Sequence, residues 1–392
     1  MKTPAEYDVV LHGASGFTGR LVAEYFVQNY KDSNIAWAMA GRDEAKLRKV
    51  RNEICAPEDT PLLMADSNDI SALSAMAKAA RCVISTVGPY TLYGENLVEV
   101  CAQEGIDYVD LCGEVLFMHK MIPRHEETAK KSGARIVFSC GFDSIPFDLG
   151  VQFLEEEALK RFGAPCPRVR TRIRNLKGSV SGGTAMSVRV TMEAVQEDPS
   201  LLGPLMNPFS LAGGFVGPEQ PPANEVMEDE TFGLWVAPFM MAIINSKNIH
   251  RSNALLGHAY GEDFVYDEMF IGGKGDAGKA AADAAVAIGG FDSGSGLPKP
   301  GEGPSREERE QGYYDILVHG TASNGETLSI SVKDDMDPGY GSTPKMIVES
   351  ALCLLEERAS TPGGIYTAAA AMGADLRKRL IELAGLKFEV ES

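Results

Sequence analysis

The chain begins with an apolar run, a glycine-rich turn and a helical pattern, in that order. The apolar run covers residues 7–12, glycines stand at positions 13, 16 and 19, and helical spacing continues to residue 26. In a strand–turn–helix unit the glycines permit a tight turn, close approach of backbone N–H groups to a pyrophosphate, and close packing of helix on strand. The helix N-terminus also favours an anion. This predicts a dinucleotide-binding unit, with contacts from Gly13, Ala14, Ser15, Gly16, Phe17, Thr18 and Gly19.

The end of the second apolar run indicates which dinucleotide binds. Residues 35–40 are followed by Gly41, Arg42 and Asp43. NAD-binding units place a carboxylate here for the ribose 2′-hydroxyl, whereas an arginine suits the 2′-phosphate of NADP. We therefore predict NADP(H) bound through Arg42, with Lys46 as a second candidate. Asp43 lies one position late for a ribose ligand and is expected to cap the next helix.

Six short apolar runs alternate with helical patterns over the first 150 residues. This alternation predicts a Rossmann domain, an α/β fold with a doubly wound parallel sheet. The predicted strands are 7–12, 35–40, 61–65, 82–86, 107–111 and 135–139, and the predicted helices are 17–30, 43–55, 69–80, 93–104 and 115–132.

The pattern changes after residue 150. We predict a mixed α+β second domain over residues 151–340, built on a mostly antiparallel sheet, with strand-like runs at 169–180, 232–244, 262–270, 313–320 and 326–333. Long loops are predicted at 198–230 and 290–312. Helices are predicted near 146–162, 184–197 and 276–288. The C-terminal residues 341–392, with helices at 343–358 and 372–384, are expected to pack back on the first domain.

The loops after the fourth, fifth and sixth strands are expected to surround a nicotinamide, because ligands of open α/β sheets bind at the carboxyl ends of the strands. Predicted cofactor contacts in the first of these loops are Thr86, Val87, Gly88 and Pro89. Tyr90 is the first candidate for a hydrogen-bond donor, and a packing tyrosine is the alternative. Glu114 and Asp143 are acid/base candidates if burial raises their pKa values. Asp143 with Ser144 is also a candidate N-cap of the next helix.

Charge and composition exclude several classes of protein. The net charge is −18, so neither nucleic acid nor an anionic membrane surface is an expected partner. The apolar segment 232–244 is too short to span a bilayer; it predicts buried core or the lining of an apolar substrate site, with peripheral membrane contact as the weaker alternative. Seven scattered cysteines and the missing secretory pattern predict free thiols and a cytoplasmic protein.

The usual catalytic signatures of other dehydrogenases are missing. None of the twelve tyrosines has a lysine four positions later, which excludes the usual short-chain dehydrogenase mechanism. No cysteine or histidine spacing suggests a metal site, so no metal is predicted. Cys140 ends an apolar run, which favours an inert core thiol over a nucleophile.

Motifs spread over nearly the whole chain resemble the saccharopine dehydrogenase-like oxidoreductases, and within them the group that includes the trans-acting enoyl reductases of actinobacterial lipid synthesis. The matching segments are Gly-Ala-Ser-Gly-Phe-Thr-Gly at 13–19, Ala-Gly-Arg at 40–42, Val-Gly-Pro-Tyr at 87–90, and the segments 108–114, 141–150, 181–184 and 367–373. The resemblance implies a nicotinamide cofactor and a hydride transfer. It does not identify a catalytic residue.

The resulting prediction is an NADPH-dependent reductase of an apolar acyl substrate, most simply an enoyl thioester, either free or tethered to a carrier. The alternatives are a saccharopine-type amino-acid dehydrogenase and an NADPH-binding sensor or lipid-associated scaffold without turnover. Four alternating arginines are candidates for binding a carboxylate or phosphate, and a solvated strand face is their alternative: Arg168, Arg170, Arg172 and Arg174. A homodimer is a further hypothesis.

Overall fold

The computed structural model describes residues 5–178, 182–289, 299, 301–356 and 360–391. Its strands are β1 Tyr7–His12, β2 Trp37–Gly41, β3 Leu62–Met64, β4 Ala80–Ser85, β5 Asp107–Asp110, β6 Arg135–Val137, β7 Arg168–Lys177, β8 Met227–Asp229, β9 Leu234–Pro238, β10 Val265–Gly273, β11 Tyr313–Thr321, β12 Thr327–Asp334, β13 Gly364–Tyr366 and β14 Lys387–Glu391. Its helices are α1 Phe17–Tyr30, α2 Glu44–Glu53, α3 Ile70–Lys78, α4 Tyr90–Tyr93, α5 Glu95–Glu104, α6 Val115–Ser132, α7 Ile145–Phe162, α8 Gly182–Glu197, α9 Leu202–Met206, α10 Ala242–Leu255, α11 Gly275–Gly289, α12 Arg306–Glu310, α13 Thr343–Glu356, α14 Ala368–Ala371 and α15 Gly373–Ala384.

The first sheet is a doubly wound parallel sheet. Its strand order is β13-β6-β5-β4-β1-β2-β3, and every neighbouring pair in it is parallel. The order 3-2-1-4-5-6 of its first six strands is that of a Rossmann domain. The predicted fold class is therefore confirmed. The carboxyl ends of β1, β2, β4, β5 and β6 meet at one edge of this sheet, as the predicted ligand site requires.

The second sheet is mixed and mostly antiparallel, as predicted. Its order is β14-β12-β11-β7-β10-β9-β8, and only β7 and β10 run parallel to each other. Helix α7 packs against β11 and β12 on one face of this sheet. Gly150 makes that contact close, since a Cβ there would lie 3.1 Å from Cγ2 of Val332.

The C-terminal residues contribute to both sheets. Strand β13 forms an edge of the first sheet, and β14 forms an edge of the second. Helix α13 contacts α1, β4 and β5. The hydroxyls of Tyr25 and Tyr30 donate to the buried carboxylate of Glu349 on α13. Neither β13 nor β14 was predicted. Strand β13 is only three residues long, and the alternation of Lys387–Glu391 in β14 covers only five residues at the end of the sequence.

The prediction for residues 232–244 is partly wrong. The run contains β9 but then enters α10, a fourteen-residue helix that was not predicted. Nine residues of α10 are buried, and most of them are polar or charged. A helix enclosed on several sides has no simple apolar stripe, so its sequence lacks the amphipathic period that identifies surface helices. Among the described residues, no helix has the length and apolar character needed to cross a bilayer.

Candidate functional site

The glycine-rich turn after β1 is closely packed. Gly13 has a φ of +92°, and a Cβ at this position would lie 2.7 Å from Oγ1 of Thr86 and from Cγ2 of Val87. A Cβ at Gly19 would overlap the carbonyl oxygen of Gly13. Gly13 and Gly19 therefore have to be glycines, because β1, α1 and the loop after β4 approach one another too closely there for a side chain.

The N-terminus of α1 fits a bound anion. Gly16 is the N-cap residue, offers no side-chain capping bond, and no acidic residue lies in the first turn. The first N–H groups of a helix have no partner within the helix, and its dipole favours negative charge there. The turn that contains the predicted residues Ala14, Ser15, Phe17 and Thr18 thus fits the pyrophosphate of a dinucleotide.

The residues after β2 fit a 2′-phosphate. Arg42 is exposed, and its guanidinium has no hydrogen bond or ion pair with any residue that the structure describes. Asp43 accepts a hydrogen bond of 3.1 Å from the backbone N–H of Lys46. The predicted capping role of Asp43 is confirmed, and it leaves Arg42 as the cation available to a phosphate. Lys46 is also exposed, with Nζ 3.9 Å from the carboxylate of Asp43.

The loop after β4 contains Thr86, Val87, Gly88 and Pro89, followed by Tyr90. The backbone N–H and the hydroxyl of Thr86 both donate to the carbonyl of His12, which holds this loop against the glycine turn. Gly88 is exposed at the tip of the loop. These placements keep the loop beside the predicted nicotinamide position.

The hydroxyl of Tyr90 is engaged within the protein. It donates to the carbonyl of Ser85 over 3.0 Å and accepts from the N–H of Leu111 over 3.1 Å. Burial raises the pKa of Tyr90 well above its usual value. Its single proton is used to join the ends of β4 and β5, so the geometry favours the packing interpretation over a role as donor to substrate.

Glu114 is also occupied. One carboxylate oxygen accepts from the N–H of Tyr90 and the hydroxyl of Ser187, and the other accepts from the N–H and hydroxyl of Thr91, all within 2.6–2.8 Å. The carboxylate caps α4 and connects it to α8 of the second domain. This arrangement favours a positioning role over acid/base chemistry for Glu114.

Asp143 differs from the other two candidates. Its carboxylate has no hydrogen bond with the described residues, and Oδ1 is buried. Burial raises the pKa of Asp143 to about 7. The alternative capping role is confirmed in position, because Ser144 is the N-cap residue of α7. Neither side chain makes a capping hydrogen bond, and the hydroxyl of Ser144 accepts from Asn248 on α10. An unpaired carboxyl that titrates near neutrality has the properties of a general acid.

The structure reveals a second buried acid that the sequence did not single out. Glu268 on β10 is completely buried and accepts hydrogen bonds from Asn245 over 2.8 Å and from the hydroxyl of Tyr266 over 2.9 Å. Burial raises the pKa of Glu268 to about 8, and the charge of Asp143 adds to this increase. A carboxylate inside a strand of apolar and aromatic residues was the available sequence signal.

Other predicted groups lie outside this arrangement. Three of the four alternating arginines on β7 are bound to carboxylates: Arg168 to Asp267, Arg172 to Asp229 and Asp267, and Arg174 to Asp315 and Glu391. Ser181 lies outside the described residues, and Thr184 is hydrogen-bonded to Tyr340. Cys140 is buried, and its burial raises the pKa of the thiol. No group of three metal-ligating side chains occurs within the described residues.

Comparison with known proteins identifies the family of this chain. A family described as the saccharopine dehydrogenase NADP binding domain matches residues 9–137. A candidate trans-acting enoyl reductase of Mycobacterium tuberculosis is 38% identical over 408 residues, covering 96% of each chain. Trans-acting enoyl reductases of Mycobacterium leprae and Mycobacterium ulcerans are 35% and 34% identical, again with 96% of each chain covered.

One solved structure shows the same fold. Apo saccharopine dehydrogenase (L-Glu forming) of Saccharomyces cerevisiae matches 98% of this chain and 100% of its own, with a TM-score of 0.52 and 13% identity. At that identity the similarity concerns the fold alone. One conclusion follows from the relatives of similar length, from the matching NADP-binding domain and from the glycine turn with Arg42. The chain belongs to the saccharopine dehydrogenase-like family and is an NADP-dependent oxidoreductase.

Proposed function

We propose that this oxidoreductase uses NADPH to reduce the C=C bond of an enoyl thioester or a related apolar acyl substrate. The names of its full-length mycobacterial relatives support this substrate class. The observation that carries the proposal is the carboxyl of half-buried Asp143 at the carboxyl end of the first sheet, whose Oδ1 is buried and has no hydrogen-bond partner among the described residues. Reduction of a conjugated C=C bond needs a hydride at the β-carbon and a proton at the α-carbon, and Asp143 is the group suited to supply the proton.

We assign separate roles in cofactor binding, loop positioning and proton transfer to residues of this chain. Bound NADPH supplies the hydride. The N-terminus of α1 binds the pyrophosphate, and Arg42 binds the 2′-phosphate. Tyr90 and Glu114 hold the loops after β4 and β5 in register. Asp143, protonated below a pKa of about 7, donates its proton to the α-carbon and is left as a carboxylate.

A saccharopine-type dehydrogenase is the second candidate, and the arginines of β7 argue against it. A zwitterionic substrate with several carboxylates needs unpaired cations in its site. Arg168, Arg172 and Arg174 are each neutralised by an acidic side chain. Arg170 alone among these four has no hydrogen bond or ion pair with the described residues, which leaves one cation on β7 for several carboxylates. The sensor alternative predicts cofactor binding without turnover.

The direct test follows the absorbance of NADPH with a series of trans-2-enoyl thioesters of increasing chain length, and saccharopine with NADP⁺ in parallel. We expect oxidation of NADPH by the thioesters alone. Tight cofactor binding without turnover on free or carrier-bound thioesters would contradict the proposal and favour the sensor.

Two variants separate the candidate proton donors. Asp143→Asn should reduce kcat by about 100-fold or more, the usual contribution of a general acid, with NADPH affinity unchanged. Tyr90→Phe keeps the ring but removes the hydroxyl, so it should lower stability by about 1–3 kcal/mol, since a buried carbonyl and N–H lose their partner. A larger loss of kcat in Tyr90→Phe than in Asp143→Asn would reverse the assignment.

A further inference from the structure

A cavity that the reaction proposed above does not use lies on the outer face of α1, between the two domains. It has a volume of about 330 Å³ and is lined by α1, by the end of α2 and by residues 303–309 of the second domain. Cavities that bind small molecules usually have volumes of about 300–1,000 Å³. The cavity is therefore large enough for a ligand of its own.

This cavity is separate from the predicted pyrophosphate site. Phe17, Arg20 and Glu24 line it, and they are spaced three and four positions apart, so their side chains share one face of α1. The buried residues of the helix, such as Val22 and Phe26, belong to the core beneath the other face. The pyrophosphate site is at the N-terminal end of the helix instead. A ligand in the cavity would not occupy the cofactor site.

The second domain is held against α1 at the edge of the cavity. A Cβ at Gly303 would overlap the ring of Phe17, so this contact leaves no space for a side chain. The rings of Phe17 and Tyr340 also meet edge to face, with centroids 5.4 Å apart. Ser305 and Glu308 form a capping box that begins α12. These contacts fix the two walls of the cavity relative to each other.

Arg309 is the arginine of the lining that has no partner. Its guanidinium forms no hydrogen bond or ion pair with the described residues, and its Nε atom is buried. The other two arginines of the lining are paired. Arg20 lies 3.8 Å from the carboxylate of Glu53, and Arg306 donates to Glu310 over 2.8 Å. A half-buried guanidinium without an acceptor costs free energy, which a bound ligand can recover.

Glu24 is the complementary carboxylate of the lining. It accepts one long hydrogen bond of 3.3 Å from Gln28 and forms no ion pair with the described residues. Burial lowers the pKa of Arg309, and the charge of Glu24 is the one that most opposes this shift. The two side chains line the same cavity but are too far apart for a direct ion pair. Each is left with hydrogen-bonding capacity that the protein does not use.

We propose that this cavity binds a small zwitterion, a free α-amino acid, with the ligand carboxylate on Arg309 and the ligand ammonium group on Glu24. A guanidinium offers paired N–H groups that suit a carboxylate, and a carboxylate accepts from an ammonium group. A simple anion would be repelled by Glu24, and a simple cation would be repelled by Arg309. The ring of Phe17 and the side chain of Ile54 supply apolar surface for the rest of the ligand.

The first test uses the wild-type protein and needs no turnover. Leucine, phenylalanine, glutamate and lysine are titrated in turn by calorimetry, and each ligand that binds is compared with its analogues that lack one charged group. For leucine these analogues are isocaproate, without the amino group, and isoamylamine, without the carboxyl group. We expect the affinity of each analogue to be about tenfold or more below that of the amino acid. Binding of no amino acid, or equal binding of either analogue, would overturn the proposal.

Two variants assign the ends of the ligand. Arg309→Gln and Glu24→Gln should each weaken amino-acid binding about tenfold or more. The amine should bind Arg309→Gln at least as well as wild type, and the acid should bind Glu24→Gln at least as well, because each change removes a repulsion. Arg161→Gln, which removes an exposed arginine of α7 outside the cavity, is the control and should bind the amino acid as wild type does. Wild-type affinity in both cavity variants would contradict the assignment.

Hydrogen–deuterium exchange locates the ligand independently. A ligand that joins Glu24 to Arg309 should slow amide exchange in residues 303–310 and leave exchange in β12 and β14 unchanged. Protection that appears only outside residues 303–310 would place the ligand elsewhere and overturn the proposal. NADPH affinity equal to that of wild type shows that the variants are folded. Because no readout depends on reduction of a thioester, failure of the proposed reductase function would leave this site unaffected, and the reverse also holds.

Discussion

At the scale of single residues, we propose that Arg42 selects NADPH over NADH. Its guanidinium is exposed beyond β2 and has no partner among the described residues. A hydrogen bond to a charged group contributes about 1.5–3 kcal/mol, or about 10- to 150-fold in affinity. Arg42→Ala should therefore weaken NADPH binding by this factor and leave NADH binding nearly unchanged, as measured by calorimetric titration. Arg48→Ala, which removes an exposed arginine bound to Glu44 on α2, is the control; equal losses for both cofactors in Arg42→Ala would refute the assignment.

Local chemistry explains why some residues of the site were predictable and others were not. Asp43 caps α2 through Lys46, three positions later, so its role follows from neighbouring sequence. The segment Asp143-Ser144 had two interpretations, and Ser144 does begin α7 as its N-cap residue. That its hydroxyl makes no capping bond and instead accepts from Asn248, 104 positions away, is visible only in the folded chain. Glu268 was missed for the same reason, since burial by distant elements raises its pKa.

At the scale of elements, α8 is a weakly attached helix above the loop after β4. Gly182 is the only one of its residues that is buried, and Ser187 donates to Glu114 over 2.7 Å. Loss of that bond should cost about 1.5 kcal/mol, so Ser187→Ala should speed amide exchange in α8 about tenfold without changing exchange in β1 and β4. The measurement is hydrogen–deuterium exchange with mass spectrometry. Thr191→Val is the control, because this hydroxyl binds only the carbonyl of Ser187 within the same helix; the same increase in both variants would disprove the role of Glu114 as an anchor.

Periodicity predicted the elements that have one buried face, and it failed for α10. The alternation of strands and helices in the first 150 residues was sufficient for the parallel sheet, since each element there has a regular pattern. In α10, buried polar side chains such as Asn245, Asn248 and Ser252 replace an apolar stripe. Their partners are Glu268, Ser144 and Asp148, on other elements. No pattern within the helix itself reports these contacts.

At the scale of the whole molecule, buried acids make stability depend on pH. Burial raises the pKa of Asp148 to about 7 and those of Glu155 and Glu268 to about 8. Above about pH 5 each of these carboxyls is ionised in the unfolded chain but still protonated in the folded chain. The free energy of unfolding therefore falls as the pH rises toward the folded pKa. The decrease is about 1.4 kcal/mol per pH unit for each proton that the folded chain retains. Buried histidines such as His250, whose pKa is lowered to about 3, act in the opposite direction, but only below their unfolded pKa of about 6.5.

The acids therefore dominate between about pH 6.5 and 8. Urea denaturation should show stability decreasing over this interval, and Glu155→Gln should make the decrease shallower by at most one proton. Glu127→Gln, a change on the exposed face of α6, should leave the slope as in wild type. A stability that is constant or increasing over the interval would show that these carboxyls ionise without cost in the folded protein.

The sequence alone determined the Rossmann domain, the NADP cofactor and the family, because glycine turns, strand alternation and the arginine after β2 are features of neighbouring residues. Tertiary structure decided which of the three candidate acids is free. Tyr90 and Glu114 are bound by groups up to 73 positions away, whereas Asp143 has a buried carboxylate oxygen without a partner among the described residues. Reactivity depends on burial and on which hydrogen bonds are already made, and both are set by elements that meet only when the chain folds.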